Sequence, residues 1–207
     1  MKFIVNDIFL SIQGEGLFAG KIMNFIRFCR CNLNCRWCDT NFSSGKEMFL
    51  EDIIKRLNGG VGWVSLTGGE PMLEENLIFL IDTLKKRKFK ILLETNATIF
   101  DGNIFNLCDF ISIDIKPPSS GNPGFDKKVL DFCIKHSSKS QIKVVLQNVD
   151  DFNFFKHIYK RYPNWILQPE WGSRRILDYE NIIQNLTSEM LCDVRVIPQI
   201  HKVLGVR

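Results

Sequence analysis

"GWVSLTGGEPMLEENLIFLIDTLKKRKFKILLET", residues 62–95, holds a strand, a glycine turn, a helix and a returning strand in one stretch. "GWVSL" is a short buried strand, stopped by Gly68 and Gly69. Leu77, Leu80, Ile81 and Leu84 then recur at helical spacing, with cations in the last turn, where the helix dipole favours them. "KILLET" resumes as a strand. Strands joined through a helix pair in parallel, with a right-handed crossover.

Working outward, the same alternation runs from about residue 22 to the end. "KIMNFIRF", "FISIDIK", "QIKVVLQ", "NWILQPE" and "DVRVIPQ" read as further strands. Helices are expected near 101–107, 126–137, 151–161 and 175–190, and "FLEDIIKRLNGG" places Phe49, Ile53, Ile54 and Leu57 on one helical stripe that stops at glycines. Six or seven strands result, in an α/β fold of parallel type. In such sheets the chemistry gathers at the strand C-terminal ends. Polar segments do fall there: Thr67 to Pro71, Glu94 to Asn96, Asp114 to Lys116, and Gln168 to Glu170.

The chain has 207 residues, 45% of them hydrophobic and 17 of them Phe, with no linker, internal repeat or low-complexity tract. That composition predicts one packed domain over 1–207. Apolar runs such as "FLIDTL" end well short of the roughly 20 residues a membrane span requires, and no cleavable leader is read in the N-terminal segment. A net charge of +4 with scattered lysines argues against nucleic-acid binding. The expected setting is the cytoplasm, where disulfides are an unusual use of cysteine.

"CRCNLNCRWCDT", residues 29–40, nevertheless packs four of the seven cysteines into ten positions. Cys31, Cys35 and Cys38 have C-x3-C-x2-C spacing in a loop rich in asparagine. A structural zinc site would want four ligands, commonly as two C-x2-C knuckles, and an ordinary ferredoxin-type cluster also wants four cysteines at other spacings. Three thiolates on a [4Fe-4S] cluster leave one iron open to a ligand.

This spacing, with an aromatic residue before the last cysteine, resembles the radical S-adenosylmethionine (SAM) superfamily, and "LTGGEP" at 66–71 is similar to its Gly-Gly-Glu segment. The resemblance implies a reduced, partial (β/α)6 barrel, a [4Fe-4S] cluster on Cys31, Cys35 and Cys38, and SAM chelating the open iron, to be cleaved to a 5′-deoxyadenosyl radical. SAM contacts are implied for Trp37, Asp39, Gly68, Gly69, Glu70, Glu94, Asn96, Asp114, Lys116, Gln168 and Glu170. Cys29, Cys108, Cys133 and Cys192 then need no function and read as small buried hydrophobes.

"FLSIQGEGLFAGKIMNFIRF", "CDTNF", "IDIKPPSSG" and the final "QIHKVLGVR" further resemble the 7-carboxy-7-deazaguanine synthase family, over essentially the whole chain. That family acts on 6-carboxy-5,6,7,8-tetrahydropterin by hydrogen abstraction, ring contraction and loss of ammonia, with SAM regenerated and no side chain acting as acid or base. The likeness implies a substrate loop in 1–21 and a substrate-site tail in 193–207. Substrate contacts are implied for Ile12, Gln13, Gly14, Glu15, Arg27, Thr67, His201 and Arg207, and a magnesium ligand at Thr40. Arg27 has the planar fork that grips a carboxylate. A homodimer and an electron donor such as flavodoxin or ferredoxin are implied as partners. Four positions depart from the family pattern: Ala97 stands where glycine is common, Asp114-Ile115 where Ser-Pro is, and Arg207 where proline is. The alternatives are an activating enzyme that abstracts hydrogen from another substrate, and a non-catalytic iron–sulfur or zinc protein.

Overall fold

Nine strands build one sheet in the computed structural model, which describes residues 1–41, 45–174 and 177–206. In chain order they are β1 (Lys2–Ile12), β2 (Ile22–Phe28), β3 (Lys46–Phe49), β4 (Trp63–Gly68), β5 (Lys90–Thr95), β6 (Phe110–Ile115), β7 (Ser140–Leu146), β8 (Trp165–Pro169) and β9 (Val194–Val196). Across the sheet the order is β3, β1, β2, then β4 to β9 in sequence. Every neighbouring pair from β2 to β9 is parallel. These are the strands read from the sequence. The crossovers carry α1 (Leu50–Lys55), α2 (Leu77–Lys86), α3 (Gly102–Leu107), α4 (Lys127–Lys135), α5 (Val149–Ile158), α6 (Tyr179–Gln184) and α7 (Ser188–Asp193), and α8 (Ile200–Leu204) follows β9. None of these helices is long and apolar enough to cross a membrane.

Two strands escaped the sequence reading. β1 pairs antiparallel with β2, and its register shifts between Val5 and Asp7. The bulge moves the inward positions from Phe3 and Val5 to Ile8, which spoils simple alternation. The expected loop at 1–21 is therefore mostly strand, and only 13–21 connects β1 to β2. β3 is a four-residue edge strand, antiparallel to β1, too short and polar to read as a strand. It ends at Phe49, which is exposed and precedes α1, so the helical stripe predicted from Phe49 begins inside the helix, where Ile53 is buried.

Caps explain the other boundary differences. Asn148 and Asp151 form a reciprocal capping box, so α5 starts two residues before the expected 151. Asp178 and Thr187 each accept a bond from their own following turn, splitting the expected 175–190 helix into α6 and α7.

Strand periodicity sorts the side chains onto two faces. Ile26, Leu66, Leu93, Ile113, Val144 and Leu167 belong to the main core under the helices. Their neighbours Arg27, Thr67, Glu94, Asp114, Lys143 and Gln168 line a cavity on the opposite face. Beside that cavity lies a smaller apolar cluster, in which Phe9 stacks on Phe25 at 5.0 Å and Phe18 meets Phe110 edge-on at 4.7 Å.

Ala97 is fully buried with φ of 64°, a left-handed conformation that glycine adopts freely and alanine at a cost of roughly 1–3 kcal/mol. Cys108 and Cys133 are buried, as expected, and burial pushes both thiols up to about 12. The reading of Cys29 and Cys192 as buried is corrected: Cys29 is half-buried, and Cys192 is exposed on the short helix α7.

Candidate active site

The cysteine loop leaves β2 and folds back over the ends of three neighbouring strands. Gly68 and Gly69 let β4 reach it: a side chain at Gly69 would collide with the Arg30 carbonyl, and Gly68, at φ 116°, is pressed against Phe28. The Glu70 N–H donates to the Arg30 carbonyl at 2.6 Å and the Gly69 N–H to the Phe28 carbonyl at 3.0 Å. Asn96, after β5, donates to Asn32 at 2.9 Å and approaches Cys31 Sγ at 3.9 Å. Beyond β6, the Ser120 carbonyl accepts the Arg36 N–H at 2.9 Å, and Trp37 Nε1 donates to Ser119 Oγ at 3.2 Å.

The loop thereby hangs Cys31, Cys35 and Cys38 at the mouth of the cavity. Burial raises the Cys35 thiol against the pull of Lys116, and Asp114 and then the neighbouring Cys38 and Cys31 raise it further. Among the described residues no three His, Cys, Asp or Glu side chains converge closely enough to hold a single metal ion. A four-iron cubane takes its ligands at separate corners, and three thiols suit three of the four.

The same cavity collects every other described residue that the sequence nominated, with one exception. Glu70 does not line it. Its carboxylate accepts from Met72 N at 3.0 Å, Thr95 Oγ1 at 2.8 Å and Asn96 N at 2.6 Å, and burial raises it above the usual carboxylate range. Glu70 thus ties the Gly-Gly turn to the end of β5 and leaves Gly68 and Gly69 to face the cavity. Arg207 lies outside the described residues.

Three residues that line the cavity each keep one buried side-chain atom with no hydrogen-bond partner among the described residues: the donor Arg27 Nε and the acceptors Asp114 Oδ1 and Gln168 Oε1. Such orphans mark places for a ligand's own polar groups. Arg27 is further held with its guanidinium carbon 5.2 Å from the centre of the Phe9 ring.

Gln13 and Glu15 are engaged within the protein. Gln13 donates to Glu94 at 3.0 Å, and Glu94 also accepts from Ser65 at 2.5 Å. Burial raises Glu94, helped by the charge of Glu15. Glu15 Oε1 accepts from Gln168 at 3.2 Å and Gln199 at 2.6 Å, while its Oε2 meets Lys143. Burial would raise Glu15, yet Lys143 holds its carboxyl down at about 2. The Gly14 carbonyl accepts the Ile200 N–H at 2.9 Å, and His201 packs so closely on Gly14 that no side chain would fit there. Lys202 reaches Asp39 at 2.6 Å, joining the C-terminal segment to the cysteine loop.

Lys143, Gln199, Lys202 and Trp171 also line the cavity and were not nominated from the sequence. A signal for Lys143 existed: it is the one charge in "QIKVVLQ", between core residues Ile142 and Val144.

Comparison with known proteins decides the family. Residues 25–148 match the radical SAM superfamily model. The 7-carboxy-7-deazaguanine synthase of Thermoplasma acidophilum is 35% identical over 209 residues, covering 97% of this chain and 96% of that one. The chain belongs to the 7-carboxy-7-deazaguanine synthase family of radical SAM enzymes. The family's namesake from Archaeoglobus fulgidus is 34% identical with both chains covered in full, and that of Bacillus subtilis is 33% identical over 94% of this chain and 92% of its own. Among solved structures, QueE from Escherichia coli superposes with a TM-score of 0.70 at 23% identity, over 96% of this chain and 94% of that one. The fold is accordingly a partial radical SAM barrel, and membership carries with it a [4Fe-4S] cluster and SAM. A non-catalytic iron–sulfur or zinc protein is set aside.

Proposed function

We propose that this chain converts 6-carboxy-5,6,7,8-tetrahydropterin to 7-carboxy-7-deazaguanine with loss of ammonia. The observation that carries the reading is Arg27, a cation without an ion-pair partner among the described residues, which lines the same cavity as Cys31, Cys35 and Cys38 and keeps its Nε buried and unbonded. A guanidinium fork of this kind binds a carboxylate through two parallel bonds.

Cys31, Cys35 and Cys38 would hold the cluster, and Gly68, Gly69 and Asn96 would meet SAM with Trp37, Asp39, Glu94, Asp114, Lys116, Gln168 and Glu170 nearby. Bound there, SAM supplies a 5′-deoxyadenosyl radical that takes hydrogen from the substrate. The chain's own residues orient the pterin: Arg27 holds its carboxylate, the backbone of Ile12 to Gly14 reads its ring edge, and Thr67 and His201 flank it. Asp114 Oδ1 and Gln168 Oε1 accept from ligand N–H or O–H groups. Thr40 would hold a Mg²⁺ ion, which would supply positive charge beside the substrate carboxylate. Lys116, held charged by Asp114 at 2.9 Å against the effect of burial, lies 4.9 Å from the centre of the Trp37 ring and fixes that side chain beside the cysteines.

The proposal extends to a cytoplasmic homodimer built of one domain, reduced by a flavodoxin or ferredoxin. The exposed side of the cysteine loop, with Asn34, Arg36 and Cys38, is where such a donor would approach. An anaerobic turnover with the carboxypterin, SAM and dithionite, read by mass spectrometry, tests the function. Carboxydeazaguanine should form without a matching amount of deoxyadenosine. SAM cleavage with the pterin left intact would sink the assignment.

A further inference from the structure

Lys143 sits in the middle of β7 with its side chain almost wholly buried, 6% exposed. A lysine there loses its hydration and keeps its charge only beside carboxylates. Its ammonium meets Glu15 Oε2 and lies 3.4 Å from Asp114 Oδ2. Burial would lower its affinity for the proton, and Asp114, Glu15 and Glu94 together raise it. Lys143 is the only cation paired with Glu15 among the described residues. Among the described residues the remaining partners of the Glu15 carboxylate are the neutral amides of Gln168 and Gln199.

Through Glu15 this single charge connects parts that are far apart in sequence. Glu15 belongs to the loop after β1, Gln168 to β8, and Gln199 to the segment leading into α8, whose Ile200 N–H also bonds Gly14. On the other side Asp114 links Lys143 to Lys116 and so to Trp37.

We infer that Lys143 is a positioning residue which, acting through Glu15, sets the loop at 13–15 and the C-terminal segment in the register that meets the pterin. The inference rests on the pterin reading above. If Lys143 were neutral, Glu15 would be a buried carboxylate with only amide donors, beside the charge of Glu94. It would then take up a proton on acidification and lose an acceptor that Gln168 and Gln199 use. His201, lowered by burial against the pull of Glu15, is a further titratable group on this side, and Lys202 and Asp39 also act on it. Removing both charges of a buried pair costs far less than removing one, because the survivor of a broken pair is left uncompensated.

The experiment compares wild type, Lys143→Met, Glu15→Gln and the double variant, all cluster-loaded. Equilibrium binding of 6-carboxypterin, a non-reacting probe, is measured anaerobically with SAM from pH 5.5 to 8.5, alongside thermal unfolding. Lys143→Met should bind at least ~10-fold more weakly than wild type at pH 6, with the deficit growing up to ~10-fold per pH unit on acidification as Glu15 protonates. The double variant should recover most of the affinity and melting temperature and lose the added pH dependence. A deficit in Lys143→Met that is flat with pH, or a double variant no better than Lys143→Met, would overturn the inference by showing that the lysine merely fills space. If Lys143→Met does not fold, a folded double variant supports the inference and an unfolded one overturns it. Wild type failing to bind the probe counts against the pterin reading, and the melting temperatures then decide the Glu15 coupling on their own.

Discussion

The Arg27 guanidinium lies over the Phe9 ring, 5.2 Å from its centre, with its Nε buried and without a hydrogen-bond partner among the described residues. The ring comes from β1 and the arginine from β2, and the antiparallel register that pairs Phe9 with Phe25 brings them together diagonally. An aromatic face steadies a cation without consuming its N–H donors. Arg27→Ala should therefore leave cluster content and SAM binding near wild type while weakening pterin binding by about 1.5–3 kcal/mol, one to two powers of ten. Arg27→Lys should rescue only partly, since it keeps the charge and loses the fork. Pterin titration of both variants, with iron counted in parallel, checks this. A lost cluster with unchanged pterin affinity would place the arginine in support of the cysteine loop instead.

Replacing any one of Cys31, Cys35 or Cys38 by alanine should remove both cluster and activity, because two thiolates cannot hold the cubane firmly. Cys29→Ala should be mild, since Cys29 does not line the cavity. Iron and sulfide counts after anaerobic reconstitution report the ligand set. Retention of the cluster in a Cys31 variant, with loss in Cys29→Ala, would reassign it.

Thiol chemistry offers an independent check of the packing. Cys108 and Cys133, buried and raised to about 12, should resist alkylation at pH 8 in the folded state, whereas exposed Cys192 should react at once. Mass mapping after a short iodoacetamide pulse on cluster-free protein distinguishes them. Rapid labelling of Cys133 would mean that the α4 side of the core is not closed as described.

Thr40→Val deletes a hydroxyl at nearly constant volume. If Thr40 binds magnesium, the rate should cease to depend on added Mg²⁺ while uncoupled SAM cleavage persists. A magnesium titration of wild type and variant decides the matter, and an unaltered Mg²⁺ response in the variant would remove Thr40 from the metal site.

Acid should weaken the fold partly through Glu15. Its carboxyl is held at about 2 in the folded chain against an ordinary 4.5. A depressed carboxyl stabilises above its unfolded value and loses that contribution as pH falls through the folded one, so the loss runs from about pH 4.5 to about 2 and amounts to ~3 kcal/mol. Glu70 and Glu94, raised by burial, act in the opposite sense. Urea unfolding of wild type and Glu15→Gln should show a wide gap at pH 6 that narrows at pH 3. A gap independent of pH would deny Glu15 its charged state.

The sequence by itself determined the parallel strands, most helices and the three cysteines, because each rests on local signals: periodicity, glycine stops and a fixed spacing. It also exposed Arg27 and the Gly-Gly turn, since a lone charge at a strand end and paired glycines stand out without any knowledge of neighbours. Tertiary structure decided the rest. β1 was hidden by a one-residue bulge that shifts the inward positions, and β3 by its brevity. Glu70 reads in sequence as a contact for SAM, and only folding shows that Thr95, Met72 and Asn96 surround its carboxylate. Lys143 looked like one more lysine, because the carboxylates that keep it charged lie 128 residues away at Glu15 and on the adjacent strand at Asp114. Such pairings depend on which strands become neighbours and which face each side chain takes, and long-range burial fixes that only once the sheet has formed.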